Sequence, residues 1–104
     1  MVKELDAHNF ISEIGSAGIA VVDFWADWCH PCKQMSPILL EIESELGKEM
    51  SFFKVNVDAS SDLASRYGIQ SIPTILVFKN GEPLVSMIGL LSKNKIISEL
   101  DKVV

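Results

Sequence analysis

The sequence predicts an α/β fold, a mixed β-sheet with helices on both of its faces, and three observations lead to it. Apolar residues alternate along the chain between strand-like runs and helical stripes, the order that sets helices against a sheet. The run Ile19–Trp25 is apolar throughout except for Asp23, which reads as a strand covered on both faces, as in the core of a parallel sheet. Two further strand-like runs flank Asn80-Gly81, a good signal for a tight antiparallel hairpin.

The elements follow in order. A short strand opens the chain. Ala7, Phe10, Ile11 and Ile14 then fall at i, i+3, i+4 and i+7, a helical stripe with Asp6 as N-cap and Gly15 as its stop. After the strand Ile19–Trp25, a second stripe is formed by Met35, Ile38, Leu39, Ile42 and Leu46 and closed by Gly47. Pro37 lies inside it and is expected to kink the helix, because it removes one backbone hydrogen bond and crowds the preceding turn. Residues 52–57 read as a strand, and 62–67 as a short helix ended by Gly68. Strands over 74–79 and 84–88 meet at the Asn80-Gly81 turn. Ser92 caps a last helix carrying Ile96, Ile97, Leu100 and Val103 on one side. No repeat, linker or low-complexity tract interrupts the 104 residues, so one domain over 1–104 is expected.

Composition narrows the function. Hydrophobic residues make up 48% and charged residues 22%, a globular balance that supports a core without disulfide staples. The net charge of −5 and the lack of any basic run argue against nucleic-acid or anionic-membrane partners. No apolar h-region opens the sequence and no apolar run is long enough for a membrane span. A soluble, cytoplasmic protein of a reducing compartment is the expectation, with nothing that calls for an obligate dimer.

The chain has two cysteines, Cys29 and Cys32, placed directly after the central strand where the second helix begins. A Cys-x-x-Cys pair in that position is a signature of dithiol redox chemistry. Cys29 falls at the N-cap with Pro31 at the first helical position, a favoured place for proline. Unpaired backbone N–H groups and the positive end of the helix dipole then face the Cys29 sulfur and stabilise a thiolate, the form that attacks disulfides. Cys32, three residues on, is within reach to resolve a mixed disulfide. Three alternatives are weaker. As a structural staple, closing so short a loop would contribute only about 2 kcal/mol. A zinc site needs two further ligands, and only His8 and His30 are present as histidines. Haem attachment fails because Lys33 stands where histidine is required.

The segment Phe24-Trp25-Ala26-Asp27-Trp28-Cys29-His30-Pro31-Cys32-Lys33 resembles the active-site stretch of the thioredoxin family. The likeness continues through Lys54-Val55-Asn56-Val57-Asp58, Tyr67-Gly68-Ile69-Gln70-Ser71-Ile72-Pro73-Thr74, Lys79-Asn80-Gly81 and Gly89-Leu90-Leu91-Ser92-Lys93, in the family's order over nearly the whole chain. The resemblance implies the thioredoxin fold, a five-stranded mixed sheet with four helices. It also implies reduction of protein disulfides, with no bound cofactor and with electrons from NADPH delivered by thioredoxin reductase.

It assigns further residues. Asp23 is flanked by Val21, Val22, Phe24 and Trp25, so both faces of its strand are apolar; burial should raise its pKa and make it a proton acceptor near neutral pH. It matches the family's buried acid, thought to help deprotonate the second cysteine, and Lys54 matches the lysine beside that acid. The bland readings are an exposed acid and a solvated lysine. Pro73 matches the family's cis-proline, which faces the cysteines and binds substrate backbone; only about 5–6% of X–Pro bonds are cis, so the resemblance alone carries this. Trp28, Ile72, Ile88 and Gly89 match the apolar docking surface, with core packing as the alternative. Trp28 is expected to be partly exposed and Trp25 to be packed.

His30 departs from the pattern, since the family usually carries glycine there. Either the side chain is merely tolerated at a loop tip, or its protonated form places a positive charge beside the Cys29 thiolate and favours the reduced state. One pKa unit of thiol acidity corresponds to about 30 mV for a two-electron couple. A disulfide oxidant or isomerase of the same fold is therefore a second reading, and a binding module using the surface around Trp28 and Gly89 is a third.

Overall fold

The computed structural model describes residues 2–104. In chain order the elements are β1 (Lys3–Glu4), α1 (Phe10–Ser16), β2 (Ile19–Trp25), α2 (His30–Leu46), β3 (Ser51–Asn56), α3 (Ser61–Arg66), β4 (Thr74–Lys79), β5 (Glu82–Ile88) and α4 (Lys93–Asp101). The strands form one sheet in the order β1-β3-β2-β4-β5. β1 and β2 both run parallel to β3, while β4 is antiparallel to β2 and β5 to β4. This is the mixed five-stranded sheet with four helices that the sequence predicts. Among the described residues no helix is long and apolar enough to cross a membrane.

The central strand shows why both faces are covered. Side chains alternate along a strand. Val21 packs with Met35, Leu39, Ile42, Ile96 and Leu100 of α2 and α4, whereas Ala20, Val22 and Phe24 pack with Phe10, Ile14 and Leu63 of α1 and α3. Each fully buried Val, Leu, Ile or Phe stabilises the fold by about 1.5–3 kcal/mol. Such gains on both faces offset the cost of placing a carboxyl in the same strand. Asp23 has the parity of Val21 and so faces α2.

Two caps behave as the sequence predicts. Ser92 Oγ accepts the Lys95 backbone N–H at 3.2 Å at the start of α4, and Gly47 closes α2. Asn80 (φ 53°) and Gly81 (φ 86°) both lie in the left-handed region, the conformation of a type I′ hairpin turn, whose twist matches that of the flanking strands. β5 therefore starts directly at Glu82, two residues before the expected 84. Pro83 is tolerated because β5 is an edge strand.

The first helix differs most. Asp6 does not cap it: its Oδ1 accepts the N–H groups of His8 and Asn9 in a preceding turn, and Asn9 becomes the N-cap. The helix passes through Gly15 to Ser16, and Ile11 is exposed. β3 and α3 each begin and end one residue earlier than expected. α2 runs on through Pro37.

Candidate active site

β2 ends at Trp25, and the chain turns so that the Cys29 N–H donates to the Ala26 carbonyl at 3.2 Å. Cys29 is extended (φ −92°, ψ 105°) and serves as the N-cap of α2. Its Sγ accepts the Cys32 backbone N–H at 3.2 Å, the place normally taken by a serine or aspartate oxygen. The two cysteines are joined as a disulfide with their Cα atoms 5.3 Å apart. Both are buried, packed with Ala26 and against Trp25, Val57 and Ile72. In the dithiol form the same cap geometry favours an ionised Cys29, because an anion suits unpaired N–H groups at a helix start. Pro31 occupies the second helical position rather than the expected first, since α2 begins at His30. The second position is equally permissive, because its N–H also lacks an intrahelical partner. His30 is exposed at the first position.

Behind the disulfide lies Asp23, only 4% exposed, with Oδ1 lacking a hydrogen-bond partner. Its pKa is raised from 3.8 to about 7, chiefly by burial, with Lys54 pulling it down and Glu4 pushing it up. The expected burial is present, and with it the raised pKa. A cavity of about 170 Å³ joins Asp23 to Cys32, Lys33, Ser36, Trp25, Asp27 and Lys54. A second, also about 170 Å³, continues from Asp23, Ser36 and Lys54 to Val2, Leu39 and Leu40. Lys54 pairs with Asp23 across the β2–β3 ladder, and its Nζ sits 5.1 Å from the centre of the Trp25 ring.

On the other side of the cysteines the Ile72–Pro73 bond is cis. Pro73 is buried, and its carbonyl accepts the Gly89 N–H at 2.8 Å, which ties the end of β5 to this loop. Gly89 has φ +93°, a conformation that favours glycine. Ile88 is 64% exposed and pairs with Thr74, next to Pro73. Trp28 is 70% exposed, more open than expected, while Trp25 is largely packed. Trp28, Val57, Ile69, Gln70, Ser71 and Ile72 line a shallow groove of about 270 Å³. Ile72 packs against the disulfide and shares a groove with Trp28, and Pro73 follows it and is tied to Gly89. Ile88 pairs with Thr74, and Lys54 lies beside Asp23 on the neighbouring strand.

Three residues at the site escape sequence reasoning. Asp58 Oδ2 accepts the Trp28 indole N–H at 2.8 Å and fixes an otherwise free ring. Asp58 is itself placed by a turn in which Asn56 Oδ1 accepts the N–H groups of Asp58 and Ala59. Nothing local links residues 30 apart. Ser36 lines both Asp23 cavities, and its spacing from Cys32 (i, i+4 on one helix) was a usable signal. Glu4 is the third. Among the described residues no group of three or more His, Cys, Asp or Glu is arranged to hold a metal ion.

Residues 1–102 match the family model described as Thioredoxin. Among curated proteins the chain is similar to Thioredoxin of Rickettsia felis, 42% identical over 103 residues and 98% of both chains. It is similar also to Thioredoxin of Rickettsia prowazekii, 43% identical over 103 residues with the same coverage. Thioredoxin of Rickettsia bellii is 40% identical over 98 residues, 93% of each chain.

Proposed function

The chain belongs to the thioredoxin family and is a thiol–disulfide oxidoreductase, and on that premise we propose that it reduces protein disulfides as an electron carrier recharged by thioredoxin reductase. The Cys29 thiolate attacks one sulfur of a substrate disulfide, forming a mixed disulfide and releasing the other sulfur as a thiolate that takes a proton from water. The Cys32 thiol passes its proton to the Asp23 carboxylate and attacks Cys29 Sγ. The second substrate sulfur leaves as a thiolate that takes a proton from water, and the Cys29–Cys32 disulfide remains. Two electrons have then moved from the dithiol to the substrate. Lys54 adjusts the proton affinity of Asp23, and Trp28, Ile72, Pro73, Ile88 and Gly89 hold the substrate segment. No cofactor is bound; NADPH supplies electrons through the reductase. The chain works as one monomeric domain in the cytoplasm, where such a dithiol can be kept reduced.

The Cys32 N–H bonded to Cys29 Sγ carries this reading, because it stabilises charge on the sulfur that must ionise. The test is reduction of a protein disulfide with NADPH, thioredoxin reductase and catalytic amounts of this chain. Chain-dependent NADPH oxidation is expected. Turnover with dithiothreitol but none with the reductase would remove the recharging partner alone; no turnover with either would remove the function.

The exposed position of His30 beside Cys29 favours a second reading, an oxidant or isomerase. His30→Gly is expected to make the couple more reducing, by about 30 mV for each pKa unit by which the Cys29 thiol rises. Equilibration with glutathione near pH 7 measures this, and equal potentials would leave His30 without an electrostatic role.

A further inference from the structure

The strand order puts three charged side chains in one row. Glu4 on β1 pairs with Lys54 on β3, and Lys54 pairs with Asp23 on β2. Register partners in neighbouring strands share a face, so Glu4, Lys54 and Asp23 stand in that order on one face, with the lysine one strand spacing from each acid. Lys54 is also held over the Trp25 ring, which limits how far it can turn toward Asp23. Glu4 is anchored independently: its Oε2 accepts the Asn56 backbone N–H at 3.1 Å.

We infer that Glu4 is a positioning residue, whose carboxylate shares Lys54 with Asp23 and thereby keeps the Asp23 carboxylate basic enough to accept the proton that Cys32 must lose. This rests on the proton-acceptor reading of Asp23. A row with one cation and two anions cannot neutralise both. Were Lys54 free to serve Asp23 alone, that carboxylate would stay ionised at lower pH and bind protons more weakly. The electrostatics agree in sign: the Glu4 charge raises the pKa of Asp23. Glu4 is itself shifted up, first by burial, while the Trp25 indole, Lys54 and the Asn56 N–H pull it down and Asp27 pushes it up. The other charged or titratable groups facing the Asp23 cavity are Asp27, Lys33 and, once reduced, Cys32.

The experiment is a carboxyl ¹³C NMR titration of the oxidised protein, which reads the Asp23 midpoint directly. Glu4→Gln is expected to lower that midpoint by about one half to one pH unit, the effect of a unit charge roughly two strand spacings away with partial screening. Glu4→Asp, which keeps the charge, should stay nearer to the parent protein. An unmoved midpoint in Glu4→Gln overturns the inference, and so does a lowered melting temperature with no change in titration, which is the mark of a purely structural edge residue. If Asp23→Asn leaves the pH profile of disulfide exchange unchanged, the acceptor reading fails separately, because the Glu4 titration does not depend on turnover.

Discussion

Cys29→Ser is expected to lose protein-disulfide reduction by at least about three orders of magnitude, since a serine hydroxyl is not ionised where the thiol is and has no sulfur with which to form the mixed disulfide. Cys32→Ser should fail differently. Its Cys29 still attacks, but no second sulfur can release the substrate, so a one-to-one covalent adduct accumulates and is visible on a non-reducing gel. The asymmetry follows from the cap: only Cys29 Sγ receives the N–H at the start of α2. Alkylation of the reduced protein should accordingly give Cys29 a pKa below the free-cysteine value of about 8.5. A Cys29→Ser/Cys32→Ser double variant that kept full biological activity would replace redox chemistry with the binding-module reading.

The second large effect concerns stability. Asp23 has a folded pKa of about 7 against an ordinary 3.8. Between those values the folded protein holds a proton that the unfolded chain has released, so stability falls as pH rises through this window. Above about pH 7 both forms are ionised and the full penalty is present. About three pH units at roughly 1.4 kcal/mol each come to on the order of 4 kcal/mol. Asp23→Ala removes the penalty and leaves a small cavity, so a net gain of about 2–3 kcal/mol is expected at pH 8, or a melting temperature higher by about 10 °C. At pH 4 the gain should vanish. Denaturation of both proteins at the two pH values checks this; a variant less stable at pH 8 would mean that the buried carboxylate is well solvated or paired. The same variant should slow disulfide exchange, so that stability and activity move in opposite directions.

Local pattern made much of this legible. The apolar run of β2 fixed a doubly covered strand, and the bounds of β2 and β4 agree with the sequence reading. The cysteine pair was found because its meaning lies in adjacent residues: a cap position, a proline and a spacing of three. Asp23 was found because apolar neighbours of both parities imply burial. The misplacements have a common cause. Asp6 is as good a cap as Asn9 by residue type, and which of them starts α1 depends on how the preceding turn folds back.

What lay beyond the sequence was every relation between distant segments. Asp58 reaches Trp28 only because β3 lies beside β2, and Gly89 meets Pro73 only because β5 pairs with β4. Glu4 counts only because the strand order sets Lys54 between it and Asp23. The sequence by itself determined the elements, the redox pair and the buried acid, since propensity, capping and apolar period act within a few residues. Tertiary structure alone decided which charges stand in one row and which distant residues pack against the cysteines, because electrostatic and hydrogen-bonding energies depend on distance in space, and strand order sets those distances.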